Sequence, residues 1–307
     1  MRTIAASVLM LALAASAGAQ PKQTYGPNPN LPFSAAVKAD GLIYVSGSIA
    51  ATKGADIRKQ TQDTLDQIGG VLKQAGSSLA NAANVTVYLR NAADAAGMNE
   101  VFAKTWPANP PARTTVVVQQ PLANADGVVE IAMIAIPNGG ERTVIHPKDW
   151  AKVPAPYSYA IKSSNTLFIS GLVSRNPKDN QNVKGDVTAQ TKLVLDNGAE
   201  ILKEAGMSYA DVVQSRVFLT DAGTFQAMNA AYRPYMSNMP PARVTVQTGL
   251  TSPDYAVEVA MIAVKDASRK AITTPNADGS AGRPNANLSS AIQVGNRLYI
   301  AGLTGNT

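Results

Sequence analysis

The 307-residue chain contains no cysteine and a single histidine, His146. The absence of thiols excludes a disulfide framework, a thiol nucleophile and a Cys-ligated metal. One histidine, falling in a stretch that reads as a linker, cannot serve a Ser-His-Asp triad in each of two repeats, nor a His-rich metal site. It is read as a surface residue, and no metal is expected. Charge is also sparse: charged residues make up 16% of the chain and the net charge is +6, with no Lys/Arg run of the kind that tracks a nucleic-acid backbone. No nucleic-acid partner is therefore expected. Long apolar runs are missing as well. The one candidate, Ile4 to Ala15, is too short to span a bilayer and follows Arg2. It precedes Ala17-Gly18-Ala19, and the whole reads as a secretory signal peptide over residues 1–19, cleaved after Ala19. The mature chain is expected in the periplasm or outside the cell, free of the membrane.

What the sequence does hold is repetition. Leu31 to Gly47 matches Ala155 to Gly171, and both match Ala286 to Gly302. The offset is 124 between Gly47 and Gly171, 130 between Arg113 and Arg243, and 128 between Glu130 and Glu258. The changes fall in turns, as expected when one domain is copied and each copy packs by itself. Repeat 1 covers 20–137, a linker 138–154, repeat 2 155–265 and a second linker 266–284. Residues 285–307 begin a third, incomplete repeat.

Each copy opens on two strands around a turn, Asp40-Gly41 or Ser164-Asn165. An amphipathic helix follows. Thr61 to Ala75 carries Leu65, Ile68 and Leu72 at helical spacing before Gly76, and Thr188 to Ala205 precedes Gly206. Then come a strand, a second helix, a Pro-Pro break and a closing hairpin. The pattern predicts a two-layer α+β domain, a mixed sheet with two helices on one face. The third copy supplies only two strands, which are not a stable unit alone. Either the natural protein continues, which we favour, or these strands dock on a neighbouring sheet.

The hairpin carries the unusual chemistry. Pro-Pro-Ala-Arg places Arg113 and Arg243 just after the break, and Glu130 and Glu258 sit in the following strand. Val128 to Ile136 is apolar on both alternating faces except at Glu130, so its carboxylate is costly unless paired, hydrogen-bonded or protonated. Each Arg–Glu pair is a site candidate, with a structural ion pair as the plain alternative.

These residues also carry a resemblance. Pro156 to Lys162, Leu167 to Gly171, Phe218 to Asp221, Met228-Asn229, Pro240 to Arg243 and Val257 to Ala263 together resemble the RidA (YjgF/YER057c/UK114) family. The resemblance implies a chorismate-mutase-like fold, trimeric assembly with clefts between protomers, and cofactor-free hydrolysis of enamines and imines to 2-keto acids and ammonia. It implies that Arg113 and Arg243 clamp a substrate carboxylate, and that Glu130 and Glu258 position water. Tyr157 and Phe33 would line the pocket, with Ser46-Gly47 and Ser170-Gly171 as its backbone wall. Thr115 and Thr245 occupy a position that is often Cys in the family. Asn99 and Asn229 are read as structural. Ala132 and Ala260 stand where family deaminases often have a second Glu, and Phe33 and Asn91 make repeat 1 the more degenerate copy.

The expected function is thus an exported tandem-repeat deaminase whose repeats replace the protomers of a trimer, or which forms homo-oligomers. Its partner is a small-molecule carboxylate. The rival reading is a non-catalytic module binding a small carboxylate or amino-acid-like ligand.

Overall fold

The computed structural model describes residues 21–27, 30, 32–236, 239–276, 278–280, 282 and 284–303. The expected signal peptide, residues 1–19, lies outside them. The first unit runs β1 (Gln23–Pro27), β2 (Ser34–Ala39), β3 (Leu42–Ser48), α1 (Ile57–Gln74), β4 (Ala82–Leu89), α2 (Ala95–Thr105), β5 (Ala112–Val117) and β6 (Val129–Ala135). The second repeats it as β7 (Thr143–Ile145), β8 (Ala160–Ser163), β9 (Thr166–Val173), α3 (Val187–Glu204), β10 (Val212–Leu219), α4 (Phe225–Tyr232), β11 (Ala242–Gln247) and β12 (Val257–Val264). A third begins with β13 (Lys270–Ile272), β14 (Ala291–Val294) and β15 (Arg297–Ile300).

Both complete units are six-stranded mixed sheets, ordered β1-β2-β3-β6-β4-β5 and β7-β8-β9-β12-β10-β11. The pairs β4/β5 and β10/β11 are parallel, because each is joined through a helix on one face. Local signals explain the elements. Asp56 caps α1 by accepting the Lys59 amide, and Asp186 caps α3 through Ala189. Gly76 and Gly206, at φ +78° and +72°, end those helices in the left-handed region. Leu65, Ile68 and Leu72 are fully buried against Val85, Val87, Ile131 and Met133, and Val194, Leu195, Ile201 and Leu202 repeat this in the second unit.

The stretches read as linkers are not wholly irregular. Residues 143–145 and 270–272 form β7 and β13, each the outer strand of its sheet. Composition concealed them because an edge strand of three residues carries little hydrophobic pattern.

The helix-free faces of the sheets meet in a second core. Leu42, Ala83 and Ile136 from the first unit pack with Ile161, Phe168, Val213 and Ile262 from the second and Ile292 and Val294 from the third. The β14–β15 hairpin therefore docks on the body of the protein. Arg297 ties it down, donating to the Asp40 backbone carbonyl at 2.8 Å and to Thr166 Oγ1 at 2.9 Å. It thus touches the hairpin turns of both complete units.

Candidate active site

The site begins with an irregularity in β9. Between Val259 and Met261 of β12 the partner strand advances from Leu172 to Ile169, one residue too many, so Ser170-Gly171 forms a bulge. A bulge re-aims side chains that a regular ladder would alternate. Here it turns the Ser170 hydroxyl outward from the sheet and leaves Gly171 beside Glu258. A Cβ at Gly171 would overlap the Glu258 carboxylate, so glycine is required for the close approach. The first unit has the same bulge at Ser46-Gly47, with Glu130 over Gly47.

The Ser170 hydroxyl then joins two repeats. It accepts the backbone N–H of Arg113 at 2.8 Å and donates to the Ser158 carbonyl at 2.6 Å. Ser158 in turn donates its amide to the Pro111 carbonyl at 2.9 Å and its hydroxyl to the Pro110 carbonyl at 2.6 Å. Further along, Val117 and Gly249 exchange backbone hydrogen bonds at 2.9 and 2.8 Å. The β5 edge of the first unit is thereby fastened to the second unit at both ends.

Between these fastenings lies a cleft lined by Met98, Asn99, Arg113 and Thr115 from the first repeat and by Tyr157, Gly171, Arg175, Tyr255 and Glu258 from the second. It holds about 780 Å³ of empty space, part of it open to solvent, a size suited to a small molecule. Glu258 is 3% exposed, and burial pushes its carboxyl up to about 8, against the pull of the Thr115 backbone and of Arg113, Arg216 and Arg175. Burial lowers Arg113 to about 10, so it stays cationic at neutral pH. The Arg113 guanidinium lies over two rings, Phe102 at 5.0 Å and Tyr157 at 5.6 Å, which fix its plane.

The arrangement assigns the predicted residues unequally. Arg113, Thr115, Tyr157, Gly171 and Glu258 line one cavity, while Ser170 is fully buried behind it and holds the Arg113 strand. Arg243 does not share a cavity with Glu258, although the two belong to the same repeat. Its guanidinium instead donates to Asn229 Oδ1 at 2.7 Å and stacks 4.8 Å from the Tyr232 ring, leaving Nε and Nη1 buried without a partner. Thr245 lies beside it on β11, its hydroxyl also unpartnered. Glu130 is half-buried with its carboxyl raised by burial, and Gly47 and Phe33 are exposed; Ser46 binds the Ser34 carbonyl at 2.7 Å. A carboxylate and an arginine thus meet across the repeat boundary, not within a repeat, because the Arg stands on the edge strand and faces the next unit. Asn99, read from sequence as structural, lines the cleft with its Oδ1 unpartnered.

Two cleft residues escaped the sequence reading. Arg175 opens the segment that repeat 2 carries in excess, and Tyr255 lies in the last hairpin turn. Arg175 donates to Tyr255 Oη at 2.7 Å and to Tyr157 Oη at 3.3 Å. The excess segment itself was the available signal. His146 is exposed, its ring against Tyr159 and Nε2 3.1 Å from the Trp150 carbonyl. Among the described residues no group of three or more His, Asp or Glu could hold a metal, and no helix is long and apolar enough to cross a membrane.

The profile of the family described as Endoribonuclease L-PSP matches the chain twice, over residues 24–137 and 150–265. A RutC family protein of Sulfurisphaera tokodaii is 46% identical over 114 residues, covering 37% of this chain and 91% of the relative. The 3-aminoacrylate deaminase RutC of Acinetobacter baylyi is 35% identical over 122 residues, covering 40% and 97%. The 2-iminobutanoate/2-iminopropanoate deaminase of Capra hircus is 38% identical over 118 residues, covering 38% and 86%. Each of these relatives has the length of one repeat. A crystal structure of chorismatase superposes on 75% of this chain and 76% of its own, with a TM-score of 0.59 and 16% identity, a likeness of fold alone.

Proposed function

This chain belongs to the RidA (endoribonuclease L-PSP) family, as two tandem copies, and we propose on that premise that its cleft hydrolyses enamines and imines of amino acids to 2-keto acids and ammonia. The observation that carries this reading is the meeting of Arg113 and Glu258, from different repeats, in one cavity. The planar guanidinium of Arg113 pairs with the substrate carboxylate and sets the C=N bond over Glu258. With its carboxyl raised to about 8, Glu258 is mostly protonated at neutral pH and serves as the acid. It gives its proton to the imine nitrogen, or to the β-carbon of an enamine to form the imine. Water adds to the activated carbon, and the Glu258 carboxylate takes a proton from it. Transfer of that proton to nitrogen expels ammonia as the hydroxyl proton returns to the Glu258 carboxylate, which leaves the keto group and restores the acid. Water and imine are consumed, and keto acid and ammonia appear in equal amounts.

The same reading makes Glu130 and Arg243 halves of two further clefts. Arg243 faces the third segment as Arg113 faces the second: Ser289 donates to the Pro240 carbonyl at 2.6 Å, as Ser158 does to Pro110. Leu298 and Ile300 of β15 are 52% and 53% exposed, whereas their counterparts Leu167 and Ile169 are buried beneath helices. A third unit laying helices on that face would close a pseudo-trimer, and we propose this for the full assembly. Export to the periplasm or beyond is proposed from the N-terminal sequence.

The test is release of 2-keto acid from 2-aminoacrylate generated in the assay. Turnover that Glu258→Gln reduces by about two orders of magnitude supports the reading, in line with typical acid–base contributions. Ligand binding without any turnover would make the chain a carboxylate-binding module instead.

A further inference from the structure

The cleft holds more positive charge than one carboxylate needs. Its ionisable lining among the described residues is Arg113, Arg175, Glu258, Tyr157 and Tyr255. With Glu258 mostly protonated, two guanidinium groups face the same space and no lining carboxylate balances them. Of the acidic residues next to lining residues in sequence, Glu100 pairs with Arg58 at 2.7 Å, Asp254 lies 3.2 Å from Lys184 and 3.2 Å from Asn182, and Asp94 precedes Ala95 at the start of α2. Such an imbalance in a partly enclosed cavity favours an anion of matching charge.

Arg175 is held in place for such a task. Its terminal nitrogens are pinned by the hydroxyls of Tyr157 and Tyr255, and its guanidinium lies 6.0 Å from the Tyr255 ring. Its Nε is buried with no hydrogen-bond partner, an N–H that a bound carboxylate could accept. Tyr157 stands between the two cations, with Arg113 over its ring and Arg175 at its hydroxyl. The position also belongs to this cleft alone: counting from the glycines of the two bulges, Arg175 corresponds to Ala51 in repeat 1.

We propose that the Arg113–Glu258 cleft is selective for dicarboxylate substrates, imines of acidic amino acids, with Arg113 taking the α-carboxylate and Arg175 the distal one. This rests on the deaminase reading of the cleft for its chemistry, but not for its charge. A monocarboxylate leaves Arg175 uncompensated, whereas a dicarboxylate satisfies both cations and the orphan N–H.

Binding of stable product analogues to the full chain separates the two ideas. Titration calorimetry with 2-oxoglutarate and 2-oxobutanoate should show the diacid binding at least tenfold tighter. Arg175→Met should abolish that preference, so that the ratio of the two affinities falls to about one, and Arg113→Met should weaken both. Equal affinities in the unaltered chain would overturn the proposal, and need no variant to fold. A preference that survives in Arg175→Met would overturn it too. Hydrolysis of the imines of alanine and aspartate, each generated by an amino-acid oxidase, reads the chemistry separately. Turnover of the alanine imine without any preference for the aspartate imine removes this inference and leaves the deaminase reading standing. A diacid preference in binding without turnover of either imine does the reverse.

Discussion

Ser170 accepts the backbone N–H of Arg113 at 2.8 Å, although the two residues belong to different repeats. Through this bond the bulge that seats Glu258 beside Gly171 also fixes the strand that carries the guanidinium. The geometry of the cleft and the attachment of one repeat to the next are therefore one structural feature. Losing the Ser170 hydroxyl leaves a buried N–H without an acceptor, a cost of about 1–3 kcal/mol. Ser170→Ala should lower the midpoint of thermal unfolding and raise KM more than it lowers kcat. Ser46→Ala, whose bond stays within the first unit and is partly exposed, should lower the midpoint less and leave KM unchanged.

Gly171→Ala should be more damaging than any polar change at the bulge. The added methyl meets the carboxylate and Cγ of Glu258, which is buried and would be forced out of its place at the cleft wall. Both activity and folded stability should fall, the latter by about 1–3 kcal/mol, typical of overpacking. Gly47→Ala meets Glu130 in the same way, but Glu130 is half-buried and can swing outward. Comparison of unfolding midpoints for the two variants checks the difference.

The pH dependence follows from Glu258. Burial raises its carboxyl from 4.5 to about 8, so the folded state keeps a proton that the unfolded chain loses above 4.5. The stabilising contribution is complete below that point and is lost as pH rises through about 8. Glu258→Gln should flatten this part of the stability profile, measured by denaturant unfolding between the two limits. In the unaltered chain kcat should fall as pH passes about 8 and the acid is deprotonated.

Much of this was legible in the sequence, for identifiable reasons. The helices were marked by Asp caps, apolar residues at helical spacing and terminal glycines, and they start within four residues of the expected positions. The Arg and Glu candidates stood out because charge in an apolar hairpin demands a reason. What the sequence did not show was which Arg meets which Glu. Arg243 and Glu258 lie 15 residues apart in one hairpin, but Arg243 stands on the edge strand β11, where its carbonyl accepts the Gly302 amide of the third segment, and it is Arg113 that shares a cavity with Glu258. That pairing depends on how whole sheets dock, and docking leaves no local pattern. Arg175 and Tyr255 were hidden because they lie in turns, where neither periodicity nor composition distinguishes a lining residue from a solvated one. The short strands β7 and β13 were absorbed into linkers for the same lack of pattern.

The pairing of Arg113 with Glu258 across the repeat boundary is tested most directly by two matched substitutions. Arg113→Met and Arg243→Met remove equivalent guanidinium groups from equivalent strands, and both can be assayed for 2-keto acid release from 2-aminoacrylate. Arg113→Met should lower kcat/KM by at least about a hundredfold, the scale of a lost charge-assisted clamp, while Arg243→Met should stay within about threefold of the unaltered chain. The reverse order, with Arg243→Met inactive and Arg113→Met unimpaired, would contradict the cross-repeat site.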